Sequence, residues 1–336
     1  MRAGAAERLR ERLRGSRAAR FSFALRRLLL RRPTAAGVWG ERAGTGAGGS
    51  PRHWTELAQV QAVINRRVSG DPDVNPYLHF LRTRLAGRLP VPRALTVGCG
   101  GGELERGLAR LGFATEHVGV DVAPGAVAVA VEEARKEGLS SLRYAVADAD
   151  ALRLEAASYD VVFGVHSVHH VARLEHLFEQ VARALRPDGL LYLNEFVGPS
   201  RFQWTDRQLE VVDGLLKVLP EPFRVSVVDG RVKRRARRPT VTEVIATDPS
   251  EAVRSAEILG VAAAYFEILE VRPYGGTVLQ LLLEEIAGNF SRPDGEGRAL
   301  LSAIADLEWS LVSAGDLPSD FATVVARPKP RAAAGT

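Results

Sequence analysis

The sequence is poor in sulfur and in lysine: it contains one cysteine, one methionine and four lysines in 336 residues. The single cysteine, Cys99, excludes an intrachain disulfide and a multi-cysteine zinc site. No run of about 18 apolar residues is present, which excludes a membrane-spanning helix. The remaining composition, 46% hydrophobic and 25% charged, is that of a globular protein able to bury a core.

Positive charge is concentrated at the N-terminus. The chain has a formal net charge of +5, and residues 1–52 contain 13 arginines and three glutamates, a balance of +10. The remaining residues therefore carry a balance of −5. This division predicts a basic, flexible leader over 1–52, with a glycine-rich linker at 43–50, and a mildly acidic body over 53–336.

Two further interpretations of the leader stay open beside that of a solvated extension. Residues 21–32, FSFALRRLLLRR, are typical of a short basic amphipathic helix that makes weak contact with a membrane surface or a partner. An arginine-rich, acid-poor N-terminus is also typical of organelle transit peptides. The leader lacks the apolar core and cleavage site of a secretory signal, so we expect a cytoplasmic location. The arginine- and alanine-rich composition indicates a bacterial source.

Strands and helices alternate along the body. Five short apolar strands, separated by helices, are predicted between Ala94 and Phe196, the third over 142–146 and the fourth over 159–165. Helices are predicted over 54–69 and 77–88 before them and over 251–263 and 277–289 after them. The pattern predicts an α/β protein with a doubly wound, seven-stranded, mostly parallel sheet. Helical cap insertions at about 198–250 and 273–318 interrupt the alternation, and both should lie at the carboxyl ends of strands, where ligand sites form.

Three glycines mark the first strand-to-helix turn. The sequence from residue 94, ALTVGCGGGELE, places Gly98, Gly100 and Gly102 at alternate positions. Glycine there permits positive φ and close approach of a ligand to the backbone. Asp121 follows 19 residues after Gly102, at the end of the second strand, where a carboxylate can accept both hydroxyls of a ribose. Loop and acid together indicate a nucleotide-like ligand.

Further segments match a known family at the same places in the pattern. HVGVD ends the second strand, VADADAL follows the third, YDVVFGVHSVHHV spans the fourth, and RALRPDGLLYLNEF leads into the fifth. With VGCGGG, these segments resemble the class I S-adenosylmethionine-dependent methyltransferases over about 95–197. The resemblance implies the Rossmann-like methyltransferase fold and S-adenosyl-L-methionine as cofactor.

The resemblance also implies cofactor-binding roles for particular residues. The glycines would wrap the methionine part, Asp121 would hold the ribose, Asp148 with the backbone at Ala149 would read the adenine, and His166 would border the sulfonium. The complete predicted set is Thr96, Gly98, Cys99, Gly100, Gly102, Asp121, Val122, Asp148, Ala149 and His166. Thr96 departs from the family, which often has an acid there, and this reduces the expected charge complementarity.

Histidines after the fourth strand are the candidates for proton transfer, because imidazole titrates near neutral pH. His170 is the first candidate, followed by His169 and His166, and Glu195 at the end of the fifth strand is a further possible base. If the segment is helical, His166 and His170 share a face. We predict no metal site, because no acid or cysteine near the histidines in the sequence completes a ligand set.

Substrate contacts are predicted at the edges of the cap. Arg201 could pair with an acidic group, and Gln203 and Trp204 could add a hydrogen bond and a flat apolar wall. Tyr274 and Tyr77 would enter from the other insertion and from the N-terminal side. The alternative for these residues is core packing and helix capping, and Ser250 is expected to cap a helix that begins near Glu251.

These observations predict methyl transfer to a small-molecule, lipid or peptide biosynthetic substrate, with O-methylation of a carboxylate or hydroxyl as first choice. The alternatives are C- or N-methylation, an inactive cofactor-binding regulatory subunit, and a dinucleotide-dependent oxidoreductase, whose G-x-G-x-x-G spacing this loop lacks. A nucleic-acid partner is not expected, since the body is acidic and its one dense basic run, Arg231–Arg238, lacks interleaved aromatics.

Overall fold

The structure is a computed structural model in which Pro51 and residues 53–291 and 295–330 are described. Apart from Pro51, the leader lies outside the described residues. The predictions made for it, including the linker and the amphipathic segment 21–32, therefore concern residues outside this set. Among the described helices, none combines the length and the apolar character needed to cross a bilayer.

Seven strands form one sheet. In chain order they are β1 Val91–Val97, β2 Ala114–Asp121, β3 Leu142–Val146, β4 Tyr159–Val165, β5 Leu185–Phe196, β6 Phe266–Gly275 and β7 Phe321–Pro328. Their spatial order is β3-β2-β1-β4-β5-β7-β6. All neighbouring pairs are parallel except those of β7, which is antiparallel to both β5 and β6. The predicted seven-stranded, mostly parallel α/β sheet is therefore confirmed.

The described α-helices alternate with these strands or build the cap. They are α1 Ala58–Ser69, α2 Pro76–Arg84, α3 Glu103–Arg110, α4 Pro124–Lys136, α5 Leu174–Ala184, α6 Asp206–Val218, α7 Glu221–Arg224, α8 Val241–Thr247, α9 Ile258–Tyr265, α10 Leu279–Leu283 and α11 Glu296–Ser313. Pro76 and Pro124 stand at the first positions of α2 and α4, where proline's missing N–H costs nothing.

Apolar side chains cover both faces of the sheet. On one face, the ring of Phe163 in β4 lies 5.5–5.9 Å from those of Phe80, Phe113 and Tyr192. A second cluster of buried residues joins α5 and α9, with the rings of Phe178 and Phe266 5.9 Å apart. Burial of this kind is the main favourable term in folding, and it fixes the strand ends that carry the site.

The two insertions and α1 build one cap with a shared apolar core. Val212 and Leu216 of the first insertion belong to the same buried cluster as Leu282 and Ile304 of the second. The insertions follow β5 and β6, which run in the same direction because both are antiparallel to β7. Both insertions therefore start from the carboxyl edge of the sheet.

Two predicted helices differ from the structure. The helix expected over 251–263 begins only at Ile258, after a 3-10 turn at Ser255–Glu257. Residues 249–252 form turns instead, because the amide of Arg201 binds the carbonyl of Ala252. The helix expected over 277–289 is replaced by the short α10 and a 3-10 turn at Ala287–Ser291, separated by Glu285, whose φ is +64°.

Candidate active site

The three glycines of the loop after β1 all have positive φ, between +51° and +77°. A methyl group on Gly98 would lie 2.3 Å from the Cβ of Ser167, and one on Gly102 would lie 2.6 Å from the hydroxyl of Tyr144. Gly100 has no neighbour within 4 Å of that position. Gly98 and Gly100 face a cavity, whereas Gly102 starts α3 and packs against β3.

Asp121, at the end of β2, binds the glycine loop directly. One carboxylate oxygen accepts from the amide of Gly100 and the other from the amide of Ala123, both at 2.9 Å. Because each oxygen has a second lone pair, the carboxylate can still accept from a ligand hydroxyl. Asp121 therefore holds the loop and presents an acceptor to the cavity at the same time.

A cavity of about 370 Å³ lies over the ends of β1, β2, β3 and β4. We call it the cofactor cavity, and its wall consists of Val97, Gly98, Gly100, Val120, Asp121, Val122, Ala147, Asp148, Ala149, Asp150, His166, Ser167, His170, Val171 and Ser250. Seven residues of the predicted cofactor set are among them. The glycine cradle, the Asp121 carboxylate and the apolar wall fit a ligand that contains a ribose and a flat base.

Three predicted cofactor residues do not line this cavity. Thr96 is fully buried, and its hydroxyl lies 2.9 Å from Nε2 of His117. Cys99 is buried against β2, where its Cβ lies 2.9 Å from the position a Cβ on Gly119 would take. Burial raises the pKa of the Cys99 thiol strongly, so it stays protonated. Thr96, Cys99 and Gly102 therefore shape the loop from beneath, because their positions face the sheet or α3.

The segment after β4 carries the three histidines but is not a continuous helix. His166 has a φ of +50°, and only Val168–His170 form a 3-10 turn. The expected i,i+4 face is therefore wrong, yet His166 and His170 line the same cavity. Solvent reaches the His166 ring through the cavity, but desolvation by the surrounding protein lowers its pKa to about 4, so its imidazole is neutral at pH 7. No hydrogen bond to its ring is present among the described residues.

Glu195 is an anchor for this segment rather than an accessible base. Its carboxylate is fully buried and accepts from the amides of Ser167 and Val168 at 2.7 and 2.8 Å. Its other oxygen lies 2.7 Å from Nδ1 of His169. Burial opposes ionisation, but the hydrogen bonds outweigh it and lower the pKa of Glu195. The expectation that Glu195 acts as a base is corrected, since its oxygens already hold the segment.

His169 is hydrogen-bonded directly to an acid, and His170 is linked to one through a serine. Hydrogen bonding to Glu195 outweighs burial and raises the pKa of His169. Nδ1 of His170 lies 3.2 Å from the hydroxyl of Ser250, which donates to Asp248 at 2.6 Å. Burial, with the neighbouring charge of His169, lowers the pKa of His170. His169 is buried behind the cavity wall, whereas His170 is part of it.

The residues predicted to contact substrate have mostly structural partners. The Arg201 guanidinium donates to the carbonyls of Pro249 and Glu251, and the Gln203 amide donates to those of Arg201 and Pro239. Arg201 and Gln203 therefore pin backbone segments together, which corrects the predicted carboxylate pairing of Arg201.

The three aromatic candidates are also held by protein groups. Trp204 is stacked on Phe202 and donates from Nε1 to Asp320 at 3.1 Å. The Tyr274 hydroxyl is buried and binds Asn194 at 2.7 Å. Tyr77 packs on the cluster around Phe163, away from the cavity walls. Only Trp204 remains in a position to meet a ligand, because it lines a second cavity.

This second cavity, of about 650 Å³, lies within the cap. We call it the cap cavity, and its wall includes His53, Phe202, Trp204, Arg231, Lys233, Arg235, Arg237, Glu243, Asp248, Glu251, Glu284 and Glu285. Asp248 and Glu251 face the cap cavity, while Ser250 between them faces the cofactor cavity. The turn Asp248–Ala252, which we call the site loop, therefore separates the two cavities. Sequence reasoning missed this role, because Asp-Pro-Ser-Glu is also typical of a helix start.

Comparison with known proteins agrees with this arrangement. A family model described as a methyltransferase domain matches residues 95–193, from β1 into β5. A 27-O-demethylrifamycin SV methyltransferase of Amycolatopsis mediterranei is 29% identical over 206 residues, which cover 56% of this chain and 74% of that protein. A ubiquinone biosynthesis O-methyltransferase of Agrobacterium fabrum is 34% identical over 100 residues, which cover 30% of this chain and less than half, 39%, of that protein.

Solved structures with a similar course of the chain include the [4+2]-cyclase SpnF and phosphoethanolamine N-methyltransferase 2 of Haemonchus contortus in complex with S-adenosyl-L-methionine. The first is 19% identical with a TM-score of 0.44, covering 85% of this chain and all of that one. The second is 20% identical with a TM-score of 0.46, covering 88% and 58%. From the family match and the sheet, the chain contains a class I S-adenosylmethionine-dependent methyltransferase domain, and S-adenosyl-L-methionine is its cofactor.

Proposed function

We propose that the protein transfers the methyl group of S-adenosylmethionine to a hydroxyl oxygen of a small biosynthetic molecule that enters through the cap cavity. The observation that carries the proposal is the site loop, which borders the cofactor cavity with Ser250 and the cap cavity with Asp248 and Glu251. A donor and an acceptor in these cavities would meet at this loop. The O-methyltransferase names of the two relatives support oxygen as the acceptor.

The charges near the site loop favour a hydroxyl over a carboxylate. Asp248 and Glu251 both border the cap cavity at this point, and Asp248 is buried. An ionised carboxylate placed against them would meet like charge in a region of low dielectric, which is unfavourable. A neutral hydroxyl or phenol avoids this repulsion and can donate a hydrogen bond to either carboxylate.

The basic run Arg231–Arg238 supports a small molecule rather than nucleic acid as acceptor. Arg231, Lys233, Arg235 and Arg237 line the cap cavity. The Lys233 ammonium donates to two cap carbonyls, and Arg237 pairs with Glu243 at 2.7 Å. Lys233 is thus held by the cap, and the exposed Arg231 and Arg237 are paired with Asp229 and Glu243. We also propose that the protein acts in the cytoplasm, as predicted from the sequence.

We assign the cofactor contacts to residues that line the cofactor cavity. Gly98 and Gly100 would bind the methionine part, Asp121 the ribose hydroxyls, and Asp148 with Ala149 the adenine. Bound S-adenosylmethionine supplies an electrophilic methyl group on a sulfonium, open to in-line attack by the acceptor oxygen.

The proton acceptor that best fits the geometry is His166. Its positive φ, uncommon for a residue other than glycine, turns the ring into the cavity. His170, the first candidate from sequence, is instead held by Ser250. A neutral imidazole in this place can take the hydroxyl proton as the oxygen attacks.

A transfer screen tests the proposal. Labelled S-adenosylmethionine would be offered with panels of alcohols and phenols, of carboxylic acids, and of amines, and products identified by mass spectrometry. We expect label only with hydroxyl acceptors, and His166→Gln should lower kcat by about 10²–10⁴. The matched control His79→Gln, on α2 outside both cavities, should leave kcat unchanged.

Two outcomes would contradict the proposal. Cofactor binding without transfer to any panel would support the inactive regulatory subunit. Label found only in amines, carboxylic acids or carbon positions would show that the acceptor is not a hydroxyl oxygen.

A further inference from the structure

We propose that His169, His170 and Glu251 bind a divalent first-row metal ion between the two cavities. One ligand atom from each residue lies within 4.8 Å of the others. Two imidazoles and one carboxylate form a donor set suited to Zn²⁺, Mn²⁺, Co²⁺ or Fe²⁺, whereas Ca²⁺ and Mg²⁺ prefer oxygen ligands alone. This set could not be recognised in the sequence, because Glu251 is some 80 residues away from the histidines. We predicted no metal site because no acid near the histidines completed a ligand set, and the structure supplies that acid.

The first supporting observation is the orientation of His169. Its Nδ1 is bound to the buried Glu195 carboxylate at 2.7 Å, and its Nε2 is directed to Glu251, 3.7 Å away. Glu195 is itself fixed by the amides of Ser167 and Val168. A histidine whose second nitrogen is held by a carboxylate is the usual arrangement around protein-bound metals, since it fixes the tautomer and the ring.

The second, independent observation is the Asp248 side chain. This residue is only 1% exposed, and its Oδ2 has no hydrogen-bond partner in the described part of the chain. That oxygen lies 4.0 Å from Nδ1 of His170, while Oδ1 accepts from the amide and hydroxyl of Ser250. A buried carboxylate oxygen without a donor is costly, and a cation beside it would remove that cost.

The balance of charge around the two histidines also favours a bound cation. Three carboxylates, those of Glu195, Asp248 and Glu251, surround the two imidazoles, and the Arg201 guanidinium is a basic neighbour of the last two. A metal ion that binds His169 displaces its proton, so both imidazoles are then neutral and the remaining balance of −2 is neutralised by one divalent ion. Such compensation is expected where several ionised groups share a buried region.

The ion's place suggests its use, and this part rests on the proposed function. His170 lines the cofactor cavity and Glu251 the cap cavity, so the ion would lie where an acceptor oxygen reaches the site. A metal ion that binds a hydroxyl lowers its pKa and makes it a better nucleophile near neutral pH. The hydroxyl proton would then pass to His166, which is not among the ligands.

Metal binding is tested without cofactor or acceptor, so that failure of the proposed methyl transfer leaves the result unaffected. The full-length protein would be freed of metal by a chelator and titrated calorimetrically with Zn²⁺ and with Mn²⁺. We expect one ion per chain, and at least tenfold weaker binding in Glu251→Gln and in His170→Gln. The matched control Glu284→Gln, which also removes one carboxylate from the cap cavity wall, should bind as the unmodified protein does.

Two further readouts separate loss of the site from loss of the fold. Thermal unfolding should show that saturating Zn²⁺ raises the Tm of the unmodified protein and of Glu284→Gln but not of Glu251→Gln. Co²⁺ should give visible absorption bands that Glu251→Gln alters. No ion bound, or binding that Glu251→Gln and His170→Gln leave unchanged, would overturn the proposal even if methyl transfer is found.

Discussion

Asp121 and Gly100 are joined by a 2.9 Å hydrogen bond from the glycine amide to the carboxylate, across the gap between the first two strands. The same carboxylate caps the turn after β2 through Ala123. The residue expected to bind the ribose therefore also sets the course of the glycine loop. Cofactor affinity and loop geometry depend on one side chain, and a mutation there affects both.

Asp121→Ala should weaken S-adenosylmethionine binding by about 1–3 kcal/mol for the unpaired ribose hydroxyls, with a further loss from the freed Gly100 amide. Asp121→Asn keeps one acceptor oxygen and should lose less. Calorimetric titration of both variants with S-adenosylmethionine measures the difference. Equal affinity of Asp121→Ala and the unmodified protein would show that the ribose lies elsewhere.

Gly98 and Gly100 offer a matched pair of substitutions in one loop. Gly98→Ala places a methyl group 2.3 Å from the backbone-proximal Cβ of Ser167, so β1 and the segment after β4 must separate. Gly100→Ala meets no atom within 4 Å and costs only the strain of its positive φ, about 1 kcal/mol. Urea unfolding should therefore show a clearly larger loss for Gly98→Ala. A similar loss in both variants would mean that the loop relaxes freely.

Within the cap, the buried Glu308 carboxylate of α11 joins α1 to the start of α10. It accepts from the amides of Val278 and Leu279 and from the Arg67 guanidinium at 2.6 Å. Glu308→Ala leaves two amides without an acceptor and the buried Arg67 without a counterion, although Arg67 keeps its hydrogen bonds to the carbonyls of Tyr274 and Ala305. The variant should lower the free energy of unfolding by about 3–5 kcal/mol.

Asp316→Asn is the control for Glu308→Ala, because it weakens only an exposed ion pair with Arg207 and should cost much less stability. Urea unfolding compares the two variants. A loss for Glu308→Ala no larger than that for Asp316→Asn would show that the cap does not depend on this pair.

Local patterns predicted the sheet well, because short apolar segments alternate with helical ones, and the first two strands end at a glycine loop and at an acid. β3 and β4 have the predicted bounds. The site loop could not be predicted in this way, since its conformation is set by Arg201, some 50 residues earlier in the chain. Likewise, no local pattern in the sequence indicates that the Glu195 carboxylate would accept hydrogen bonds from the amides after β4. Nor does any indicate that Glu251 would lie beside His169.

Thr96, the residue that departs from the family pattern, is bonded to a neighbouring side chain in the protein interior. The sequence alone indicated a weaker contact with the cofactor at this position. In the structure, the Thr96 hydroxyl bonds His117, whose pKa burial lowers to about 3, so the ring is neutral. Glu105 of α3 lies in the same buried region, and burial raises its pKa to about 7, against the opposing effect of the Thr96 hydroxyl. Thr96 and Glu105 therefore belong to one buried polar region beneath the glycine loop, and neither lines the cofactor cavity.

The raised pKa of Glu105 predicts a pH dependence of stability with a definite sign. Below about pH 4, Glu105 is protonated in both the folded and the unfolded chain. Between its unfolded value of 4.5 and the folded value of about 7, the unfolded chain releases the proton first, so the free energy of unfolding falls as pH rises. The full loss, reached above pH 7, is about 3 kcal/mol.

Glu105→Gln should remove this contribution, because glutamine does not titrate. Urea unfolding at pH 5 and pH 7.5 should show a smaller decrease for Glu105→Gln than for the unmodified protein. Glu103→Gln, an exposed position in the first turn of the same helix, serves as control and should keep the original decrease. If all three proteins lose stability equally over this range, Glu105 is ionised in the folded state, and the buried region around Thr96 must contain a compensating positive charge.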